Sequence, residues 1–107
     1  MMMQLSYDVI KALQGRTLST AESCTGGGIG AVLTAVPGSS AVYVGGVISY
    51  VDRVKAELLC VEPNVLQKCG AVSGKVAEAM AIGARNALKS DVAISVTGLA
   101  GPDGDNI

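Results

Sequence analysis

The chain of 107 residues is long enough for one domain with a single hydrophobic core, and eight basic and nine acidic residues leave it a net charge of −1. This balance gives no electrostatic footprint for nucleic acid, and no apolar run reaches transmembrane length, so we expect a cytoplasmic protein without a membrane segment. Half of the residues are hydrophobic but the only aromatic ones are three tyrosines, so the core must be aliphatic, which suits helices packed closely on a sheet.

Helix and strand patterns alternate along the chain. Apolar residues three and four positions apart indicate helices, and short apolar runs bounded by Gly or Pro indicate strands. The resulting elements are a helix over 6–14, a strand over 17–22, a helix over 26–36, a strand over 41–50, a helix over 52–59, a helical turn over 63–68, a helix over 74–89 and a strand over 92–96. Such alternation predicts a layered α/β fold with a partly parallel sheet.

The sequence also predicts helix caps, a strand irregularity and core positions for particular residues in these elements. Ser6 and Ser73 are expected to cap the helices over 6–14 and 74–89. The pair Gly45-Gly46, inside a predicted strand, indicates a bulge or a close approach of two backbones. The side chains expected in the core include Val54, Leu58, Leu59, Cys60, Cys69, Val76, Met80, Ala84 and Leu88.

The residues over 20–30 carry most of the chemistry in the sequence. Ser23, Cys24 and Thr25 leave the predicted strand, and glycines then open the next helix. The N–H groups of residues 26–28 would be unpaired donors at a helix start, where the positive end of the helix dipole attracts phosphate or a developing oxyanion. Because parallel strands end at one edge of a sheet, we expect the loops that follow the strands to converge there.

The glycines fit a dinucleotide-binding fingerprint only in part. Gly26-Gly27-Gly28-Ile29-Gly30-Ala31 satisfies the pattern G-x-G-x-x-[GA], and Asp52 stands where a ribose-binding acid is expected, ~20 residues downstream. Against this interpretation, Ser23-Cys24-Thr25 separates the strand from the first glycine, which has to make the turn directly. The P-loop pattern fails because no lysine matches it.

A nucleophilic serine is the other interpretation of this stretch. The chain has no histidine, which excludes a Ser-His-Asp arrangement within it, so a base must be Lys, Tyr, Asp or Glu. Lys55 is the best candidate because a lysine shielded from water can act as a neutral base, and Tyr50 could relay or orient. Taken alone, Ser23 could equally be a helix N-cap and Lys55 a solvated surface residue. Cys24 has no histidine partner and is interpreted as a small buried filler.

Several motifs resemble those of the CinA C-terminal domain family, in the family's order along nearly the whole chain. They are Ala21-Glu22-Ser23-Cys24-Thr25-Gly26-Gly27, Pro37-Gly38-Ser39-Ser40, Gly45-Gly46-Val47-Ile48-Ser49-Tyr50 followed by Lys55, Gly70-Ala71-Val72-Ser73 and Thr97-Gly98-Leu99-Ala100-Gly101-Pro102. The resemblance implies a three-layer α/β/α fold with a mixed sheet. It also implies nicotinamide-mononucleotide deamidase activity, a step of pyridine nucleotide recycling, with Ser23 as nucleophile assisted by Tyr50 and Lys55.

The expected ligands and partners complete this hypothesis. Substrate binding is assigned to Thr25, Gly26, Gly27, Thr97, Gly98 and Gly101. We expect neither a metal nor another cofactor, because three cysteines without CxxC spacing and no histidine make a poor ligand set. A homo-oligomer is expected, since so apolar a chain should hide surface against its own copies. The alternative function is a non-catalytic nucleotide-binding or assembly module.

The chain departs from the family pattern in two places. Val51-Asp52-Arg53-Val54 stands between Tyr50 and Lys55 where the family usually has Ser-Asn-Glu-Ala, although the spacing of the pair is kept. Family members also continue beyond the glycine- and proline-rich loop into further strands and a C-terminal helix. We therefore expect residues 1–107 to form a single domain of this kind, shortened at its C-terminal end.

Overall fold

A computed structural model of the chain describes residues 2–98, and its helices and strands follow the predicted order. They are α1 (Met2–Ala12), β1 (Leu18–Glu22), α2 (Gly28–Thr34), a 3₁₀ turn (Ser39–Ala41), β2 (Tyr43–Ile48), α3 (Asp52–Leu59), α4 (Pro63–Cys69), α5 (Gly74–Leu88) and β3 (Val92–Val96). The predicted bounds of α3 and β3 are confirmed to the residue. Between residues 2 and 98 no helix is long and apolar enough to cross a membrane.

The two predicted serine caps have opposite outcomes. Ser73 caps α5 as predicted, because its Oγ accepts a hydrogen bond from the Val76 N–H at 3.2 Å. The prediction for Ser6 is wrong, since α1 begins at Met2 and Ser6 lies buried inside that helix. Met and Leu are good helix formers, so the residues before Ser6 continue the helix instead of stopping it.

The three strands of the described chain form one sheet in the order β2-β1-β3, with both pairings parallel. The α/β prediction is confirmed, and within residues 2–98 the sheet is parallel where a mixed one was expected. Helix α2 connects the neighbours β1 and β2, which is the helical crossover that parallel neighbours require, and α3, α4 and α5 connect β2 to β3 on the other side of β1. All three strands therefore end at the same edge of the sheet.

Helices cover both faces of this sheet. On one face α3, α4 and α5 pack around a core that contains Ala21 and the α5 residues Val76, Met80 and Ala84, which are fully buried as predicted. On the other face α1 and α2 pack around a second core that includes Leu18. The result is three layers, with β1 buried between two cores.

The inward side of α3 matches the prediction at Leu59 but not at Leu58. Lys55 and Leu59 are each only 1% exposed, and residues four positions apart lie on the same side of a helix. Leu58 consequently lies on the outer side, where it is exposed. The expectation that Cys60 and Cys69 belong to the core is also wrong, because both are exposed at the ends of helices.

The Gly45-Gly46 pair marks both a bulge and a close approach, as predicted. Leu18 pairs with Tyr43 but Ser19 pairs with Gly45, so the register shifts by one residue. Gly45 has a φ of 147°, which side chains rarely adopt, and a Cβ on Gly46 would collide with the Thr20 hydroxyl. After the bulge the two strands end level with each other, which brings their following loops together.

Candidate active site

The loops that follow the three strands meet at the carboxyl edge of the sheet. The Ser23 N–H donates to the Val96 carbonyl oxygen at 3.0 Å, and the Ser49 N–H donates to the Glu22 carbonyl oxygen at 2.7 Å. Gly98 lies against Cys24, since a Cβ on this glycine would be 3.2 Å from the Cys24 Sγ. The ladder therefore continues one residue past β1 and β2, and Ser23 is held between its neighbours.

Ser23 and Lys55 form a buried side-chain pair at this edge. The Lys55 Nζ lies 3.2 Å from the Ser23 Oγ, and the two residues are 1% and 5% exposed. The Lys55 Nζ also donates to the carbonyl oxygens of Ser49 at 2.8 Å and Tyr50 at 3.3 Å. The inward position of Lys55 on α3 is what brings its amine to the end of β1.

This arrangement suits transfer of a proton from serine to lysine. In the structure the Lys55 Nζ donates to all three oxygens around it, the Ser23 Oγ and the carbonyl oxygens of Ser49 and Tyr50. Proton transfer needs the neutral amine, in which the two carbonyl oxygens would accept both N–H groups and the lone pair would face the hydroxyl of Ser23, which needs a base to become a good nucleophile. The Asp52 carboxylate lies 3.7 Å from the Lys55 Nζ and is largely exposed, so solvent screens this ion pair.

The other predicted site residues make structural contacts or form turns near the Ser23–Lys55 pair. Tyr50 offers its backbone carbonyl to Lys55, while the residue itself is 62% exposed. Thr25 uses its hydroxyl to donate to Glu22, and Thr97 donates to the Ala71 carbonyl oxygen at 2.8 Å. Gly26 and Gly27 both have left-handed φ angles, which explains glycine at these two turns. Gly101 lies outside the described residues. Substrate binding by this set stays a prediction.

Glu22 is a feature that the sequence reasoning missed. Its carboxylate accepts hydrogen bonds from the Thr25 hydroxyl at 2.6 Å, the Ile29 N–H at 2.9 Å and the Gly30 N–H at 2.8 Å. An acidic residue is favoured close to a helix start, which is the signal that could have pointed to it. Because Glu22 satisfies the first turn of α2 from within the chain, that turn is not an open anion site.

The expectation of unpaired glycine donors is wrong for Gly26 and Gly28. The Gly26 N–H donates to the Ser23 carbonyl oxygen at 3.1 Å, and the Gly28 N–H donates to the Thr25 carbonyl oxygen at 3.0 Å. Two tight turns consume these donors before α2 begins. Within residues 2–98 the N–H groups of Cys24 and Thr25 have no hydrogen-bond partner, so the available donors lie directly after Ser23.

The environment of Glu22 predicts an acid-sensitive contribution to stability. Burial raises the pKa of Glu22, but hydrogen bonds from Thr25 and from the N–H groups of Gly30, Ile29 and Gly27 outweigh it and hold the pKa below the ordinary 4.5. The charged form is thus favoured by folding. Its stabilisation is complete above the unfolded-state value and is lost as the pH falls through the lower folded-state value.

We expect Glu22→Gln to lower the free energy of unfolding at pH 7 by about 1–3 kcal/mol. The glutamine amide would place its NH₂ group against the backbone N–H groups that the carboxylate now accepts from. The difference from the unmodified protein should shrink as the pH falls below 4.5. Urea unfolding at several pH values measures this difference in the free energy of unfolding, and Glu78→Gln, at an exposed position, is the control. A difference that stays constant down to pH 2 would contradict this account.

Comparison with known proteins identifies the family. A sequence model of the CinA C-terminal domain matches residues 2–106. The chain belongs to the CinA C-terminal domain family. A CinA-like protein of Synechococcus sp. (strain CC9311) is 63% identical over 102 residues, which are 94% of this chain and 24% of the relative. This CinA domain thus spans about a quarter of the length of such curated relatives.

Solved structures of the family show the same fold. The competence damage-inducible protein A of Klebsiella pneumoniae superposes with a TM-score of 0.92 at 38% identity, covering 96% of this chain and 65% of that one. The competence/damage inducible protein CihA of Agrobacterium tumefaciens gives 0.88 at 41% identity, covering 94% of this chain and 62% of that one. The CinA domain therefore matches less than two thirds of either solved chain.

Proposed function

We propose that this CinA domain is an amidohydrolase that converts nicotinamide mononucleotide to nicotinate mononucleotide and ammonia. The observation that supports the reaction type most strongly is the buried contact of 3.2 Å between the Lys55 Nζ and the Ser23 Oγ. A serine at the end of a central strand, with a shielded amine as its only side-chain partner in residues 2–98, is suited to nucleophilic catalysis. The choice of substrate rests on the family resemblance.

The reaction proceeds in two steps on Ser23. In the first, the Ser23 Oγ attacks the carboxamide carbon while the neutral Lys55 amine takes the hydroxyl proton. Lys55 then gives this proton to the leaving nitrogen, the C–N bond breaks, and ammonia departs from a nicotinoyl ester. In the second step a water molecule gives a proton to Lys55 and attacks the ester. Collapse of that intermediate releases nicotinate mononucleotide and returns the proton to the Ser23 Oγ.

Backbone N–H groups next to the nucleophile stabilise the negative charge that develops on the carboxamide oxygen during attack. The N–H groups of Cys24 and Thr25 are without partners among the described residues, and they directly follow Ser23. A backbone N–H immediately after a catalytic serine is a recurrent oxyanion donor in hydrolases. We assign this role to Cys24 and Thr25, and we give Tyr50 the assisting role of holding the Lys55 amine through its carbonyl oxygen.

Release of ammonia from nicotinamide mononucleotide is the direct test. The purified protein should release ammonia and nicotinate mononucleotide in equal amounts, and Ser23→Ala should abolish release. The exposed Ser40→Ala serves as the matched control and should keep full activity. Binding of the mononucleotide without turnover would favour the alternative, a nucleotide-binding or assembly module. Binding of NAD that survives loss of Ser23 would favour the dinucleotide hypothesis.

A further inference from the structure

A second buried ionisable side chain adjoins the nucleophile from the opposite side. Glu22 is 2% exposed and directly precedes Ser23 in the chain. Side chains alternate along a strand, so Glu22 lies on the same face of β1 as Leu18, which packs with α1 and α2. Lys55 reaches Ser23 from α3, which belongs to the layer on the other face. The serine is therefore held between two layers, each contributing one ionisable residue.

The partners of Glu22 lie on both sides of the loop that carries Ser23. The carboxylate binds the hydroxyl of Thr25, two residues after the serine, at 2.6 Å. It also binds the N–H groups of Ile29 and Gly30 in the first turn of α2, at 2.9 and 2.8 Å. Charge-assisted hydrogen bonds of this kind are short and strong, so one side chain fixes where the loop leaves β1 and where it enters α2.

We infer that Glu22 is a positioning residue for the reaction, because its carboxylate locks the turn from Ser23 to Thr25 onto the start of α2. In this role it keeps the Ser23 Oγ within reach of Lys55 and keeps the Cys24 and Thr25 N–H groups in fixed places for a developing oxyanion. The inference rests on the proposed function, since it takes Ser23 to be the nucleophile. It also means that a substrate phosphate binds elsewhere than at the first turn of α2, which Glu22 already occupies.

The reactivity of Ser23 toward a small fluorophosphonate measures this positioning without the natural substrate. In that reaction the Ser23 Oγ attacks phosphorus while its proton passes to the Lys55 amine, the P–F bond breaks and fluoride leaves, and the mass of the Ser23 peptide increases. We expect Glu22→Gln to lower the labelling rate by roughly 10- to 100-fold, since small misplacements of reacting groups have effects of this size. The kcat for ammonia release should fall in parallel while KM changes little. The exposed Glu78→Gln is the control and should label at the normal rate.

A pair of changes at Thr25 tests the same contact without altering the carboxylate. Thr25→Val removes the hydroxyl that donates to Glu22 and keeps the shape, whereas Thr25→Ser keeps the donor. We expect labelling to slow about tenfold in Thr25→Val and to stay within about twofold in Thr25→Ser. If Glu22→Gln does not fold, the two Thr25 variants still test whether the Glu22–Thr25 contact positions Ser23. Equal labelling rates in the two Thr25 variants would then overturn the inference.

The remaining outcomes separate the inference from the proposed function. If the unmodified protein releases ammonia and Glu22→Gln does so at the same rate, the positioning role is overturned and the amidase proposal stands. If nicotinamide mononucleotide is not hydrolysed but Ser23 labels in a Glu22-dependent way, the positioning role stands and the substrate assignment fails. If Ser23 of the unmodified protein does not label at all, there is no activated serine to position, and the inference is overturned.

Discussion

Lys55→Arg should reduce ammonia release about as much as Ser23→Ala, on the order of 10³-fold or more. The guanidinium of arginine stays protonated, so it has no lone pair for the Ser23 proton. Because the two residues act as one unit, the double change should have little effect beyond either single change. Turnover of the three variants, each checked for folding by circular dichroism, measures this.

Two further variants control this comparison. Cys24→Ala should be mild, because the change keeps the backbone N–H of residue 24 and removes no proton acceptor. The exposed Lys68→Arg on α4 makes the same chemical change as Lys55→Arg, outside the site, and should keep full activity. If Lys55→Arg retains most activity while Ser23→Ala is inactive, another group is the base, and Tyr50 or Glu22 becomes the next candidate.

Gly83→Ala should give the largest loss of stability among changes outside the site. Gly83 is buried where α5 crosses the end of α3, and a Cβ there would collide with the Leu59 carbonyl oxygen and lie 2.7 Å from its carbonyl carbon. Because the obstacle is backbone, the helices must separate, so we expect the free energy of unfolding to fall by about 3 kcal/mol or more. Lys55 lies on α3, so ammonia release should fall as well.

Gly74→Ala is the matched control for this effect. It makes the same change on the same helix, but a Cβ at this position would meet no atom within 4 Å. Its free energy of unfolding should stay within about 1 kcal/mol of the unmodified protein, with any change stabilising. Urea unfolding of both variants provides the comparison. Equal stabilities would show that α5 and α3 are not in the close contact described above.

Much of the fold could be predicted from local patterns. The row of Val76, Met80 and Ala84 at intervals of four residues identifies the buried side of α5, and Gly45-Gly46 identifies the bulge. The inward position of Lys55 could not be predicted from periodicity, which assigns lysine to solvent. It depends on the Ser23 Oγ at the end of β1, which is distant in the sequence, together with the Ser49 carbonyl oxygen just after β2.

The site could be predicted only as a set of candidate residues. Ser23 and Lys55 were recognised from residue chemistry and resemblance, but their distance depends on how β1, β2 and α3 pack. The role of Glu22 was missed because its side chain folds back onto a helix that begins six residues later, at Gly28. The Gly26 and Gly28 N–H groups, predicted to be free, are paired in two turns, and the Glu22 carboxylate accepts from the residues that follow, Ile29 and Gly30.

Trapping of the acyl intermediate tests the central claim most directly. The protein is mixed with nicotinamide mononucleotide, quenched in acid within milliseconds to seconds, and digested for mass spectrometry. The account predicts a nicotinoyl mononucleotide ester on the peptide that contains Ser23, absent in Ser23→Ala and strongly reduced in Lys55→Arg. Ammonia release by the unmodified protein with no ester on Ser23, or with the label on Cys24, would contradict it.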